Sequence, residues 1–304
     1  MTEQVTINDV GPRDGLQNQT EILSVEQRLQ LIHGLLDAGV TSVEVGSFVS
    51  PKAVPAMMGT DRLFGFLEAT QASLFGLIPN QRGYELAKAA GAKYLSVLTC
   101  ATETMNQNNV RMSVNESMAQ NQAIMAAAQN DGISISGCVA VAWECPFEGK
   151  TDARKVQELV QQFFAMGARE VVVADTIGAA NPQSVYTLMS DLVSQHGVRK
   201  LSCHFHDTRA MGVANVFAAL QAGIRKFDAS VGGLGGCPFA PGATGNVATE
   251  DVVMMLHQMG YYTGIDLQKL MAVGQRAGRM LGIDTGGRAN RWRQLQLENG
   301  KSLS

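Results

Sequence analysis

The sequence predicts an α/β fold, a (β/α)8 barrel with an extra C-terminal helix, and two observations carry this prediction. Short runs rich in β-branched residues alternate eight times with longer stretches whose apolar residues recur about every 3.6 positions. The runs are too apolar to have a solvent-exposed face, which favours the parallel strands of a barrel surrounded by a ring of helices. A doubly wound open sheet is the main alternative, but the G-x-G-x-x-G that usually follows its first strand is absent.

The first four strand-plus-helix units occupy residues 5–132. Each strand prediction rests on a short run of β-branched and other apolar residues, and each helix prediction on apolar periodicity. Gly39, Gly91 and Gly132 end three of these helices, where a left-handed cap favours glycine. The predicted strands are 5–10, 41–47, 72–78 and 93–99, and the predicted helices are 24–39, 60–69, 81–91 and 113–132.

The remaining units occupy residues 134–260, and an extra helix follows at 266–281. Glycine again ends each unit, and no linker or internal repeat interrupts the pattern. We therefore predict one barrel domain, 1–280, and a polar C-terminal tail, 281–304, part of which we expect to be disordered. The predicted strands are 134–142, 169–175, 200–207 and 226–233, and the predicted helices are 152–167, 181–197, 211–223 and 248–260.

Composition and charge exclude several classes of protein. The formal net charge is −3, and no run of lysine or arginine could follow a phosphate backbone, so we expect no nucleic-acid partner. No basic segment followed by an apolar one opens the chain, and no apolar run is long enough for a membrane span. The five cysteines are odd in number and scattered, which favours reduced thiols and a cytoplasmic protein.

Polar residues that are suited to chemistry follow the strands of the predicted barrel. In such barrels the active site lies beyond the carboxyl ends of the strands, so these side chains are expected to converge on one rim. The glycine-rich segment 230–246 follows the eighth strand and has a composition that neither helix nor strand interiors favour. The candidates are Arg13, Asp14, Glu44, Asp175, His204, His206, Asp207, Cys237 and Asn246.

A metal site is predicted by the sequence HFHD at 204–207. Residues two apart on a strand point to the same side, so His204 and His206 present both imidazoles toward one point. With the Asp14 carboxylate and the Asn246 amide oxygen they form a mixed nitrogen and oxygen set, which suits Mg²⁺, Mn²⁺, Co²⁺ or catalytic Zn²⁺. The alternative interpretation is a pair of hydrogen-bonded histidines at a strand end.

Arg13, Glu44 and Cys237 are the candidate reacting groups beside that site. A divalent cation next to Arg13 would hold and polarise a substrate with adjacent oxygens. Glu44 could orient Arg13 through a bidentate ion pair, or it could form a purely structural pair. Cys237 on a glycine-rich loop is suited to proton transfer once the loop closes, and the alternative is a chance cysteine there.

Six motifs together resemble one known family. They are VGPRDGLQN, SFVSPK followed by VPAM, CPFEGK, DTIG, HFHDT and GGLGGCPFAPGATGN followed by ATED. Over residues 5–280 the chain resembles 3-hydroxy-3-methylglutaryl-CoA (HMG-CoA) lyase, a metal-dependent TIM-barrel lyase related to isopropylmalate and homocitrate synthases. The motif around Cys237 is the most specific of the six, because DTIG or HFHDT alone indicates only the wider superfamily.

The resemblance implies a role for each candidate residue. Asp14, His204, His206 and Asn246 would bind a divalent cation, Mg²⁺ or Mn²⁺. Arg13 would stabilise an enolate, Cys237 would act as general acid and base, and Asp175 and Glu44 would support the reaction. Gln17 and Ser47 would bind substrate together with Arg13. The substrate would be an acyl-CoA thioester, split by retro-Claisen cleavage into acetyl-CoA and a ketone, in a homodimer active in leucine degradation and ketone-body formation.

The sequence departs from the family pattern near the predicted site. Arg209, Ala210 and Met211 follow HDT where relatives usually have Tyr-Gly-Gln, and Trp143 and Glu144 stand where relatives have small residues. These departures leave lyase chemistry in place and make an altered acyl group the first alternative. A condensing synthase of the same superfamily is the second, although such enzymes usually have a longer C-terminal region, and a non-catalytic metal-binding barrel is the third.

Overall fold

A closed barrel of eight parallel strands forms the centre of the protein. The computed structural model describes residues 3–236, 245–285 and 287–299. The barrel strands are β1 (Thr6–Asp9), β2 (Ser42–Ser47), β3 (Ser73–Leu77), β4 (Tyr94–Cys100), β5 (Ser134–Ala140), β8 (Val171–Asp175), β9 (Leu201–Phe205) and β10 (Lys226–Ala229). Around the barrel they follow the order β1-β10-β9-β8-β5-β4-β3-β2, so every strand has two neighbours and no edge is exposed. The fold prediction is confirmed.

Helices connect the strands on the outside of the barrel. They are α1 (Val25–Asp37), α2 (Thr60–Phe66), α3 (Gln81–Ala89), α4 (Glu103–Val110), α5 (Val114–Asn130), α6 (Ala153–Ala165), α7 (Pro182–His196), α8 (Gly212–Gln221), α9 (Thr249–Gln258), α10 (Leu267–Leu281) and α11 (Arg288–Glu298). Ser24, Ser113 and Asn181 begin α1, α5 and α7 with reciprocal capping boxes, which satisfy backbone N–H groups at the helix starts. No helix among the described residues is long and apolar enough to cross a membrane.

Two short strands and two helices were not predicted from the sequence. A short antiparallel pair, β6 (Glu144–Cys145) and β7 (Gly149–Lys150), follows β5. Helix α4 has almost no apolar periodicity, and α11 lies in the segment predicted as a polar tail. The Asp251 carboxylate accepts backbone N–H groups of Arg288 and Ala289 at the start of α11, which anchors this helix to α9. The division of the chain into a barrel domain and a tail stays a prediction.

Polar side chains enter the barrel interior, which is usually filled by branched apolar residues. The Ser96 hydroxyl on β4 donates to Glu44 on β2 at 3.1 Å, although β3 lies between these strands, so the hydrogen bond crosses the interior. Asn8 on β1 donates to Asp228 on β10 at 2.8 Å. Such groups are costly to bury unless they are hydrogen-bonded. Their presence indicates that the barrel interior contains a polar hydrogen-bonded network as well as packed apolar side chains.

Glu250 lies at the base of the glycine-rich segment and is fully buried at the start of α9. Its two carboxylate oxygens accept from the Gly232 N–H at 3.0 and 2.9 Å. Burial raises the pKa of Glu250 to about 8, and the nearby Asp9 carboxylate adds to the rise. The folded protein therefore holds a proton on Glu250 at pH values where the unfolded chain has already released it.

The Glu250→Gln variant is expected to lose less stability than the parent protein between pH 5 and pH 8. Because the folded pKa lies above the unfolded one, the contribution of Glu250 is complete below about pH 4.5 and is lost as pH rises through about 8. Unfolding by urea at both pH values measures the difference, which should amount to a few kcal/mol. The exposed Glu68→Gln variant is the matched control. Equal pH dependence in all three proteins would contradict the assignment.

Candidate active site

A buried turn at the end of β1 presents Arg13 and Asp14 to the rim. The chain leaves β1 in a five-residue helical turn, Gly11–Gly15, of the wide π type. The Asp9 carboxylate accepts the Gly11 N–H at 2.9 Å and the Thr249 hydroxyl at 2.7 Å, which fixes the start of this turn. Local hydrogen bonds of this kind hold the backbone where a longer helix would not form.

Arg13 bridges two carboxylates in this rim. Its Nε donates to Glu44 at 2.6 Å and its Nη1 donates to Asp14 at 2.9 Å, with only 15% of the arginine side chain exposed. Burial opposes the positive charge, but Glu44 and Asp14 together outweigh it and raise the pKa of Arg13 above its ordinary value. Arg13 is therefore a fixed cation whose remaining guanidinium donors are available at the rim.

Asp14 is held by donors on both of its oxygens. Oδ1 accepts from Arg13 and from the Gln17 side chain at 2.9 Å, and Oδ2 accepts from the Asn246 amide at 2.8 Å. Burial on its own would raise the pKa of Asp14, but Arg13 and the two imidazoles lower it to about 2. The carboxylate is therefore ionised throughout the physiological pH range, as a metal ligand must be.

His204 and His206 face the same centre. Their ring centroids are 5.2 Å apart, and His204 Nε2 lies 4.0 Å from Asp14 Oδ2. One ligand atom from each of Asp14, His204 and His206 lies within 4.8 Å of the others. Burial and the neighbouring His204 lower the pKa of His206 to about 4, so this imidazole is neutral and able to ligate. The fold thus brings Asp14, His204 and His206 together, as the sequence predicts.

Asn246 lies next to the cluster. It pairs with His206 in an antiparallel bridge, and its amide nitrogen donates to Asp14 and to the Leu234 carbonyl at 3.0 Å. Among the residues that the structure describes, neither the other amide atom, Oδ1, nor His206 Nδ1 has a hydrogen-bond partner, and both atoms are buried. Buried polar atoms without partners require an explanation. An oxygen ligand and an imidazole beside an ionised carboxylate fit a divalent cation, so these residues suit the predicted site.

Two glycines allow the glycine-rich segment to approach Asn246. Gly235 has a φ of 138°, and a Cβ there would lie 2.5 Å from Asn246 Nδ2. A Cβ at Gly245 would lie 1.9 Å from the Gly233 carbonyl oxygen. Only glycine permits such contacts. Cys237 lies outside the described residues, and its predicted role stays a prediction.

The remaining predicted residues lie at strand ends. Asp175 ends β8 and accepts the backbone N–H groups of Ala179 and Ala180 at 2.9 and 3.1 Å. Burial raises its pKa to about 6, against those hydrogen bonds and the charge of Arg209. Ser47 ends β2, and its buried hydroxyl has no hydrogen-bond partner within the described ranges. Asp207 accepts the N–H of Gly212, the first residue of α8, at 2.7 Å, and this contact is structural.

Two of the residues that depart from the family pattern form an ion pair. Arg209 donates to Glu144 at 3.1 Å, and both side chains are partly exposed. Trp143 is buried, its ring lies 5.7 Å from that of Phe205, and its indole N–H has no hydrogen-bond partner in the part of the chain that the structure describes. The ion pair therefore joins the segment after β5 to the segment after β9 at the rim.

Sequence reasoning missed the residue behind His204. Asp228 Oδ2 lies 3.3 Å from His204 Nδ1, and Asp228 Oδ1 accepts from the Asn8 amide at 2.8 Å. Metal-binding histidines usually donate their second ring N–H to such a carboxylate. The signal that could have found it was a carboxylate within the short strand KFDA, the same kind of signal that pointed to Glu44.

The closed barrel and the polar cluster define the class of protein: a (β/α)8 barrel with a candidate metal-binding cluster at the rim where such barrels have their active sites. Residues 4–276 match the family model described as HMGL-like. The chain belongs to the HMGL-like family.

Three relatives support this assignment. A hydroxymethylglutaryl-CoA lyase from Pseudomonas mevalonii is 41% identical over 288 residues, which cover 94% of this chain and 96% of the relative. The crystal structure of hydroxymethylglutaryl-CoA lyase from Pseudomonas aeruginosa superposes with a TM-score of 0.94 at 37% identity, covering 97% of this chain and 99% of that one. An (R)-citramalyl-CoA lyase from Chloroflexus aurantiacus is 40% identical and covers 92% of each chain.

Proposed function

We propose that the protein is a divalent-cation-dependent lyase that cleaves HMG-CoA into acetyl-CoA and acetoacetate. One observation carries the proposal: Arg13 touches the Asp14 carboxylate of the ligand cluster, in a chain 41% identical to a hydroxymethylglutaryl-CoA lyase over nearly its whole length. A fixed cation beside a cation site suits a reaction in which negative charge develops on substrate oxygens.

The cation would be held by Asp14, His204, His206 and Asn246. When bound, it would act as a Lewis acid toward the hydroxyl and carbonyl oxygens of the substrate. Asp14 contributes an ionised oxygen, His206 a neutral imidazole, and Asn246 an amide oxygen that is buried without a hydrogen-bond partner among the described residues. This mixed nitrogen and oxygen set suits several divalent ions. We propose Mg²⁺ or Mn²⁺ among them on the resemblance to the family.

The protein's own groups would then move protons and hold charge. Asp175, whose pKa of about 6 is suited to a base near neutral pH, would accept the proton of the C3 hydroxyl. The C2–C3 bond would break with its electron pair passing to the thioester as an enolate, which Arg13 would stabilise. Cys237 would return a proton to C2, giving acetyl-CoA. Glu44 holds Arg13 in place, and Gln17 and Ser47 would contact substrate.

A related 3-hydroxy-acyl-CoA is the second candidate substrate. The observation that favours it is the ion pair between Arg209 and Glu144 at the rim, together with the similarity to an (R)-citramalyl-CoA lyase. A charged pair above the site would alter the space and polarity that an acyl group meets, while the residues assigned to bond cleavage stay unchanged.

Release of acetyl-CoA from a panel of thioesters tests the proposal. With Mg²⁺ or Mn²⁺ present, HMG-CoA is expected to give the highest kcat/KM, and citramalyl-CoA and 3-hydroxybutyryl-CoA a value at least about tenfold lower. The His206→Ala variant is the control for contaminating activity. A higher kcat/KM for another member would favour the second candidate, and no turnover of any member would contradict lyase activity.

Assembly, location and pathway follow as proposals. We propose a homodimer on the resemblance to the family. No disulfide joins the four cysteines among the described residues, which supports a reducing, cytoplasmic setting. Acetyl-CoA and acetoacetate as products would place the reaction in leucine degradation and ketone-body formation.

A further inference from the structure

The barrel interior contains a chain of hydrogen bonds that ends on one of the proposed metal ligands. The Ser42 hydroxyl on β2 donates to Asn8 Oδ1 on β1 at 2.8 Å, and Asn8 Nδ2 donates to Asp228 Oδ1 on β10 at 2.8 Å. Asp228 Oδ2 in turn lies 3.3 Å from His204 Nδ1 on β9. Four adjacent strands thus contribute one buried residue each.

The polarity of this chain follows from the chemistry of its members. An ionised carboxylate only accepts, so Asp228 requires a donor from both of its neighbours. Asn8 must therefore turn its NH₂ toward Asp228 and its oxygen toward Ser42, whose hydroxyl can donate. His204 must likewise carry a proton on Nδ1, so in the neutral imidazole the lone pair is on Nε2, which lies on the side of Asp14.

We propose that Asp228 is a positioning residue that sets the tautomer of His204 for cation binding, and that Asn8 and Ser42 fix the direction in which Asp228 accepts. The proposal rests on the cation site of the proposed function. Its readout is affinity for Mn²⁺ itself, so its failure would leave the acyl-CoA lyase assignment in place, and loss of turnover alone would not bear on it.

The Asp228→Asn variant reverses the direction of the last hydrogen bond, the one between residue 228 and His204. The size of the side chain at position 228 stays nearly the same. Asn8 is expected to keep donating, because a flip of its amide would take from the buried Ser42 O–H the oxygen that accepts it, so the new amide turns its oxygen to Asn8 and its NH₂ to His204. His204 Nδ1 must then accept, and the ring proton moves to Nε2, the atom that faces Asp14. A protonated ring nitrogen has no lone pair for a metal. We expect Mn²⁺ affinity to fall by about 10–100-fold.

The exchange Asn8→Asp with Asp228→Asn restores the original direction. The carboxylate now at position 8 accepts from Ser42 and from the amide at position 228, whose oxygen is left to accept from His204 Nδ1. Charge and composition of the interior are unchanged by the exchange. A role limited to filling space or joining strands would predict no such recovery, so the double variant separates positioning from structural support.

Mn²⁺ titration followed by electron paramagnetic resonance measures the free ion with each purified full-length variant. We expect the double variant to recover affinity to within about threefold of the parent protein. Glu170→Gln is the matched control, because Glu170 is another buried carboxylate, bonded to Ser202 and Lys226, without a contact to His204. Parent-like affinity in Asp228→Asn, or a folded double variant that stays as weak as the single one, would overturn the proposal.

A measurement on the unmutated protein covers the case in which a variant does not fold. In enzyme labelled with ¹⁵N-histidine and saturated with diamagnetic Mg²⁺, the signal assigned by its loss in His204→Asn should show the proton on Nδ1. A proton on Nε2 of His204 would overturn the proposal directly.

Discussion

Replacing Arg13 with glutamine is expected to lower kcat for HMG-CoA cleavage by about 10³-fold and to change KM far less. Arg13 is placed to stabilise charge that develops on the substrate only as the carbon–carbon bond breaks, and loss of such a donor costs about 10²–10³ in rate. The substitution also leaves Glu44 and Asp14 without the cation that both of them contact, which adds to the loss.

Arg13→Lys separates charge from geometry. Lysine keeps the positive charge but lacks the planar fork that reaches Glu44 from Nε and Asp14 from Nη1. We expect kcat to fall by about 10²-fold, with thermal stability closer to that of the parent than in Arg13→Gln.

Steady-state kinetics and thermal unfolding of both variants measure these effects. The matched control is Arg62→Gln, which removes an exposed arginine that pairs with Glu26 at 3.3 Å on the surface and should leave kcat unchanged. A kcat for Arg13→Gln within about threefold of the parent would show that Arg13 does not act on the reacting atoms.

The barrel could be predicted from the sequence because each strand and each long helix carries its own signal. Helices such as α6 and α10 repeat apolar residues with helical spacing, and their buried residues lie on one face. Helix α4, with the sequence ETMNQNNV, has no such stripe. It is held instead by Asn106, whose side chain binds the backbone of Cys100, Met112 and Ser113, a tertiary contact that no local pattern reveals.

The ligand cluster could be predicted because parallel strands bring distant residues to one rim. Asp14 and Asn246 are hydrogen-bonded at 2.8 Å across most of the chain, as expected when the first and last strands of a barrel are neighbours. That His204 and His206 face the same side could be predicted from the two-residue repeat of a β-strand alone.

The residues that support the ligand cluster through hydrogen bonds could not be predicted in the same way. Asp228 lies two residues inside β10, and its link to His204 depends on the register that pairs these two residues across neighbouring strands. Asn8 and Ser42 are common residue types with no spacing that marks them, and register is fixed by packing of the whole barrel. The pairing of Arg209 with Glu144 likewise depends on the conformation of the loop after β9 and on the position of β6.

Removal of the divalent cation is expected to abolish turnover, and removal of one ligand should have nearly the same effect. His206→Ala should lower kcat/KM by about 10³-fold and weaken Mn²⁺ binding. The variant lacks the neutral imidazole that lies next to Asn246 and is proposed as a ligand. His33→Ala, on the exposed face of α1, is the matched control and should bind Mn²⁺ normally. Full activity after exhaustive chelation would contradict the proposed mechanism.

Anomalous diffraction from crystals grown with Mn²⁺ tests the cation site most directly. We predict one strong peak at the rim, about 2.0–2.3 Å from an oxygen of Asp14, a ring nitrogen of each of His204 and His206, and the Asn246 amide oxygen. A peak elsewhere, or an Mn²⁺ ion at the rim that leaves His204 and His206 unligated, would contradict the proposed function at its foundation.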